Sequence, residues 1–504
     1  MNKISVLQVG NEDLSLQLHI PDYVEWNYVN DLKKATERSY DVCVLNRCVN
    51  EKEARILLKK VRAYTLFLLD DVEVDQWTKW IFKSRVGKIY SLNKLQEFVN
   101  DDIKLFFSSG YGEKFNALSL SISQNFNGSI SWNGYNGVLL DGEYGDNFYQ
   151  IAYWKMNVPL FNEQVIDFWL EYEKDPNVSI QLKIEQFQSG SVSTVQNRWV
   201  FNERDLESVV SIENKKMDGS IFVSLLAKGK GMLKIINLHD HHSRKSYGAF
   251  FPGGVRYVTS KREEVFMYFD PGDMKPPLCV YFGGWKTMES FEGFNMMRKM
   301  GTPFLLITES RVEGGAYYLG DKEYEKNIIF GIKNCLKQLG FTNKQLVISG
   351  LSMGSIGSLY YGSKLEPHTL ILGKPVMSVG TVAANERIKR PWSYPTSLDV
   401  LAKHSGDLSE DSVEKFNSKM WDAFDNANWN NTILKMAYMI EDDYDMTAYH
   451  KILSHIHNTS VEIIGKGIHG RHNDDTSSVV QWFLSQYNKT LKIDFNRGEK
   501  LDGK

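Results

Sequence analysis

The sequence predicts an α/β protein built in three successive parts, and three observations carry that expectation. Over residues 1–115, short apolar runs alternate with amphipathic stretches. Over 116–247 the apolar residues recur in twos, separated by Gly, Asn and Ser. From 248 to 490 near-continuous apolar runs return with helical stretches between them, and one ends in a Gly-x-Ser-x-Gly turn. Strand–helix alternation argues a parallel sheet, a period of two argues antiparallel pairing, and unbroken apolar runs suit strands buried on both faces.

At 504 residues the chain is too long for one hydrophobic core. Hydrophobic residues make up 42% and charged residues 24%, as in an ordinary folded protein. Aromatics reach 13%, a composition that suits sugar-binding clefts as well as cores. The net charge of −3 offers no electrostatic footprint for nucleic acid. Four cysteines, Cys43, Cys48, Cys279 and Cys335, are too scattered for a disulfide framework, and Cys43 with Cys48 lacks metal-binding spacing. The opening MNKISVLQVGNEDLSL shows no apolar core followed by a cleavage site. No stretch approaches the roughly 18 apolar residues a spanning helix needs, so a cytoplasmic protein is expected.

In the first part, strands are expected over 3–9, 41–45 and 64–69, with a helix over 51–62 whose apolar residues keep helical spacing. This reads as a small Rossmann-like α/β unit without a glycine-rich nucleotide turn. In the second part, runs at 119–123, 178–187, 221–226 and 232–238 predict an antiparallel β-sandwich. It is either a carbohydrate-binding-like module or a spacer. The run His239-Asp240-His241-His242 looks like a metal cluster. It sits in what reads as a polar link and lacks zinc-site spacing, so a solvated linker is expected.

The third part supplies strands at 265–269, 278–282, 303–308, 345–349, 369–372, 435–440 and 461–464. The insertion 376–431 falls where a lid belongs. Its Trp392, Tyr394, Trp421 and Trp429 either stack on a sugar or pin the lid. In the loop after the 303–308 strand, Arg311 either contacts substrate or holds the loop. The tail 491–504 is polar from Asn496 and expected to fray.

The chemistry centres on QLVISGLSMG, where a strand runs into Gly350-Leu351-Ser352-Met353-Gly354 and a helix over 355–364 follows. The bare pattern occurs by chance in about one chain in four of this length; the strand-before, helix-after context is much rarer. Glycine is needed on both sides because the serine occupies a strained turn packed against its neighbours. The turn projects the hydroxyl of Ser352 above the sheet, with the helix N-terminus aimed at a developing oxyanion.

A serine nucleophile on an α/β-hydrolase fold takes its acid and then its histidine further along the chain. The acid falls in Glu441-Asp442-Asp443-Tyr444-Asp445, after the 435–440 strand; Asp442 is favoured and Asp443 stays open. The base falls in Gly467-Ile468-His469-Gly470-Arg471-His472-Asn473. His472 is favoured because Asp474 or Asp475 can cap the helix that follows; His469 is the alternative. The glycines of Tyr281-Phe282-Gly283-Gly284-Trp285 form a loop that approaches a substrate closely. The N–H of Gly284 or Trp285, with that of Met353, would complete an oxyanion hole.

The order of parts, together with FGGW, GLSMGSIGSLYYG, MIEDDYD and GIHGRHN, resembles the second accessory secretory protein family, which exports serine-rich-repeat adhesins from Gram-positive bacteria. The resemblance spans essentially the whole chain. It implies Ser352 as nucleophile, Asp442 as acid and His472 as base of an O-acetyltransferase acting on N-acetylglucosamine of the glycosylated adhesin. It also implies a complex with the companion accessory secretory proteins, delivery to a motor ATPase and a place at the cytoplasmic membrane face. No coenzyme or nucleotide motif appears, so no tightly bound cofactor and no metal are expected, and the acetyl donor is unidentified. Two other functions fit the same residues: a targeting scaffold whose catalysis is secondary, and a stand-alone carbohydrate esterase.

Overall fold

A computed structural model describes residues 3–497, apart from 38, 107–111, 192, 216, 251, 287, 311–316, 390–394 and 458–460. Arg311, Trp392 and Tyr394 lie outside the described residues. The architecture is mixed α/β with three sheets of five, ten and eight strands.

The first sheet is wholly parallel, ordered Val24–Val29, Ile4–Val9, Val42–Leu45, Leu66–Leu69, Lys88–Tyr90. The expected helix forms over Glu51–Lys60, opened by a reciprocal cap between Asn50 and Glu53. Two strands were missing from the sequence reading. Val24–Val29 buries only its two terminal valines, and Lys88–Tyr90 is three residues long. Edge positions need little apolar surface, so neither leaves a strong pattern.

The middle strands, expected to pair antiparallel, do so throughout, ten of them among the described residues in one connected hydrogen-bond network. The runs at 221–226 and 232–238 are one strand, Gly219–His242. Its first half pairs with Val178–Gln188 and its second with Val165–Lys174, while Val138–Trp154 follows it along both. The intervening Lys228-Gly229-Lys230-Gly231 looks like a turn but forms bulges, with Gly229 and Gly231 at φ of 101° and 133°. The same strand absorbs His239–His242, which correct the expected solvated linker. His239 and His241 are buried and pair across the ladder with Trp169 and Asp167.

The third sheet positions the site. Its order is Val255–Val258, Glu264–Asp270, Phe304–Glu309, Leu278–Phe282, Leu346–Leu351, Thr369–Gly373, Ile433–Met439, Ile463–Ile468. The first two pairings are antiparallel and the rest parallel. The parallel strands therefore share one carboxyl edge, where the loops bearing Gly283, Ser352, Asp442 and His472 emerge. Among the described residues, the insertion between Thr369–Gly373 and Ile433–Met439 forms three helices, Val379–Ile388, Pro395–Ser405 and Glu410–Asp425. Trp429 is buried and donates its indole N–H to Phe424 O, while Trp421 stacks on His455, so both rings pin the insertion. Arg85, from the first part, makes a bidentate and fully buried pair with Asp270. Arg497 reaches back to Asp273, so the expected fraying does not begin at Asn496.

Candidate active site

The strand Leu346–Leu351 delivers the chain to Ser352, whose φ of 54° and ψ of −119° lie in a region that side-chain-bearing residues avoid. The neighbours enforce this turn. A Cβ on Gly350 would stand 2.2 Å from Gly354 O, and one on Gly354 would stand 2.2 Å from Phe282 O. The Ser352 N–H donates to Gly373 O at 2.8 Å, and the Ser355 hydroxyl donates to Ser352 O at 2.6 Å. Strain of this kind persists where the surroundings over-determine the conformation. Met353 begins the helix Met353–Leu365, so the helix N-terminus points at the serine.

From Ser352 a continuous relay runs inward. Ser352 Oγ is 2.7 Å from His472 Nε2, and His472 Nδ1 is 2.8 Å from Asp442 Oδ2. The imidazole is 1% exposed and the carboxylate 5%. Burial raises the Asp442 carboxyl, but the His472 bond and the N–H groups of Tyr444 and Asp445 outweigh it and hold it below its ordinary value. The carboxylate therefore stays charged and fixes the ring with Nδ1 protonated, leaving Nε2 to accept from the serine. Tyr444 stacks on the ring at 4.2 Å and 5°.

The residues left open in the sequence fall into separate positions. Asp443 accepts the backbone N–H of His472 at 3.1 Å and does not touch the ring. His469 is 86% exposed and pairs with Glu441 at 3.1 Å. The helix after His472 is capped by Asp475, which accepts from Ser478 N at 3.0 Å. At the glycine loop, the Gly284 N–H is donated to the Glu292 carboxylate. Of the two positions weighed for the second oxyanion donor, Gly284 is thus engaged in this geometry.

Several residues of the site carried no motif. Tyr444 and Asp445 sat in a run read only for its acids. Asp445 accepts from Met377 N at 2.9 Å and Ser378 N at 2.7 Å, tying the start of the helical insertion to the loop that holds Asp442. Lys374, whose ammonium is lowered by burial against the pull of Asp442 and Glu292, donates to Thr476 Oγ1 at 3.3 Å.

A cleft of about 40 Å³ opens over Ser352, walled by Trp285, Tyr317, Ile356, Val376 and Val382. That is room for about three water-sized groups. A pre-oriented serine, a histidine held as acceptor and a small apolar cleft are the elements of nucleophilic acyl transfer.

Comparison with known proteins agrees over almost the entire chain. Residues 4–497 match the family described as "Accessory Sec system GspB-transporter". The chain is 34% identical over 507 residues to the second accessory Sec system protein of Streptococcus gordonii, covering 98% of this chain and 99% of that one. It is 35% identical over 512 residues to the corresponding protein of Staphylococcus aureus (strain NCTC 8325 / PS 47), covering 98% of each. Among solved structures, the Glycosylation Associate Protein (Gap123) complex from Streptococcus agalactiae aligns with a TM-score of 0.89 at 35% identity. That alignment covers 99% of this chain and 100% of the other.

Proposed function

The chain belongs to the GspB-transporter family of the accessory Sec system, and from that premise we propose that it acetylates the glycans of the serine-rich-repeat adhesin whose export it serves. The observation that carries this reading is the unbroken Ser352–His472–Asp442 relay at 2.7 and 2.8 Å. Its supports are the α/β-hydrolase strand order and the strained serine turn.

His472 Nε2 takes the Ser352 proton as Oγ attacks the acetyl carbonyl. The resulting oxyanion is met by the N–H of Met353 and, with the Gly284 N–H engaged by Glu292, by that of Trp285, where one donor is worth about a hundredfold or more in rate. The imidazolium, steadied by charged Asp442, passes its proton to the departing donor group, and the acetyl remains on Ser352. A hydroxyl of N-acetylglucosamine then gives its proton to His472 Nε2 and attacks the acyl-serine, releasing the acetylated sugar and restoring the relay. Transfer rather than hydrolysis requires exclusion of water, which the small apolar cleft favours.

The Gap123 complex is similar over the whole chain. That likeness supports a place for the chain in a complex with the companion accessory secretory proteins; service to a motor ATPase at the membrane face is part of the same proposal. No helix among the described residues is long and apolar enough to cross a membrane. The test is mass spectrometry of adhesin co-expressed with the wild-type chain or with Ser352→Ala. Acetylation of N-acetylglucosamine should vanish with Ser352→Ala; unchanged acetylation refutes the proposal. Export measured in the same cells separates the roles, since intact export without acetylation leaves a targeting function independent of catalysis.

A further inference from the structure

The strand Gly219–His242 ends in two histidines whose side chains share one face, as residues two apart on a strand must. Both are buried and both meet one carboxylate. His239 Nδ1 is 2.8 Å from Glu289 Oε1, and His241 Nε2 is 2.5 Å from Glu289 Oε2. On its other side, His239 Nε2 is 3.2 Å from Glu171 Oε1. Glu289 is itself 3% exposed. It belongs to the segment that starts at the Gly283-Gly284 turn and ends at the helix Phe294–Met300.

We propose that the His239–Glu289–His241 cluster is a positioning clamp that fixes the oxyanion-forming turn of the Ser352 site to the middle sheet. The inference rests on the acyl-enzyme reading above. The clamp does not act alone on the segment. Gly112 and Glu289 exchange two backbone hydrogen bonds of 2.8 Å, so main chain and side chain are held together. The Tyr318 hydroxyl donates to Gly283 O at 2.6 Å, and Lys286 Nζ donates to Ser290 O at 2.7 Å, which closes the segment on itself. The clamp thus supplies the far anchor of a loop whose near end carries Trp285, the second donor of the proposed oxyanion hole. A displacement of about 1 Å there is enough to cost about a hundredfold in rate.

The chemistry of the cluster fits a charge clamp. Burial opposes charge on His239, but Glu289 and Glu171 outweigh it and raise the imidazole well above its ordinary value. His241 is raised against burial by Glu289 and Glu264. Burial also opposes the Glu289 charge, and the two histidines pull it down to about 2. Around this core, Arg256 pairs with Glu264, Lys403 of the helix Pro395–Ser405 faces Glu171, and Asp240 and Glu113 lie on the side of Gly112. His239, His241 and Glu264 also present ligand atoms within 4.8 Å of one another. In this geometry His239 Nδ1 and His241 Nε2 are engaged by the Glu289 carboxylate, at 2.8 and 2.5 Å, as charge-assisted hydrogen bonds.

The test uses the full chain and hydrolysis of p-nitrophenyl acetate, with Ser352→Ala measured alongside. Glu289→Gln keeps the shape and removes the charge. Its kcat should fall at least tenfold with KM within twofold, and hydrogen exchange over 283–293 should accelerate while the rest of the protein exchanges as before. Wild-type kcat in folded Glu289→Gln overturns the clamp. If Glu289→Gln does not fold, His241→Gln decides: a tenfold loss of kcat supports the clamp and full activity overturns it. Ser352→Ala that retains wild-type turnover would instead remove the acyl-enzyme reading, a distinct failure.

Discussion

Replacing Asp442 by Asn leaves the shape of the relay and reverses its proton logic. The carboxylate accepts from His472 Nδ1 at 2.8 Å through Oδ2 and from Tyr444 N at 2.8 Å through Oδ1. An amide keeps the second contact with its oxygen and turns its NH₂ toward the ring. Nδ1 must then become the acceptor, which places the ring proton on Nε2, where it faces Ser352 Oγ and prevents acceptance of the hydroxyl proton. Loss of the correct tautomer with preserved geometry costs about ten-thousandfold in kcat in a serine relay, or about 5 kcal/mol of barrier. Asp443→Asn is the internal control. Asp443 accepts the backbone N–H of His472, a contact the amide oxygen retains, so a change within about threefold is expected. Both variants would be compared by steady-state and burst kinetics on p-nitrophenyl acetate, with thermal unfolding as a check of folding. An Asp443→Asn defect as large as that of Asp442→Asn, or an Asp442→Asn enzyme within tenfold of wild type, would refute the assignment of the acid.

Three further outcomes follow from the same contacts. Gly350→Ala should destabilise by about 3 kcal/mol or more in chemical denaturation, because its Cβ meets Gly354 O at 2.2 Å and neither backbone can yield. Asp270→Ala should cost about 3–5 kcal/mol by leaving Arg85 charged and buried, and the paired change to well-packed apolar residues should recover most of it. The His239–Glu289–His241 cluster should impose a two-sided stability profile in thermal unfolding. Both histidines are raised in the folded state, so their contribution is complete below about pH 6.5 and is lost as pH rises through their elevated values. Glu289 is depressed, so its contribution is complete above about pH 4.5 and is lost as pH falls toward about 2. A Glu289→Gln protein that keeps the wild-type profile would contradict this.

The parts of the molecule legible in the sequence are those where one physical pattern dominates. The central parallel strands of the third sheet are buried on both faces, so 278–282 and 369–372 read as unbroken apolar runs and match Leu278–Phe282 and Thr369–Gly373 closely. Ser352 was legible because a strained strand-to-helix turn leaves glycine at fixed offsets. His472 is favoured over His469 by the helix and capping aspartate that follow it; Ser352 Oγ lies 2.7 Å from His472 Nε2, while His469 is 86% exposed and pairs with Glu441. The histidines at 239–242 were misread because polar residues in a row resemble a linker. What lets His239 and His241 be buried is compensation by Glu171 and Glu289, which lie 68 and 50 residues from His239 and leave no local trace. Glycines at 229 and 231 hid a continuous strand for a similar reason, since a bulge and a turn draw on the same residue. Gly284 could be named from the loop pattern, but its engagement by Glu292, eight residues on, depends on how the loop folds back on itself.

The central claim is that Ser352 carries the acetyl group between donor and sugar. The most direct measurement is peptide mass spectrometry of the full chain mixed with an activated acetyl ester and quenched in acid within the burst phase. The account predicts one added acetyl group on Ser352, absent in Ser352→Ala and discharged faster when N-acetylglucosamine is supplied. A chain that turns over the ester with no acetyl on Ser352, or with discharge indifferent to the sugar, would contradict it.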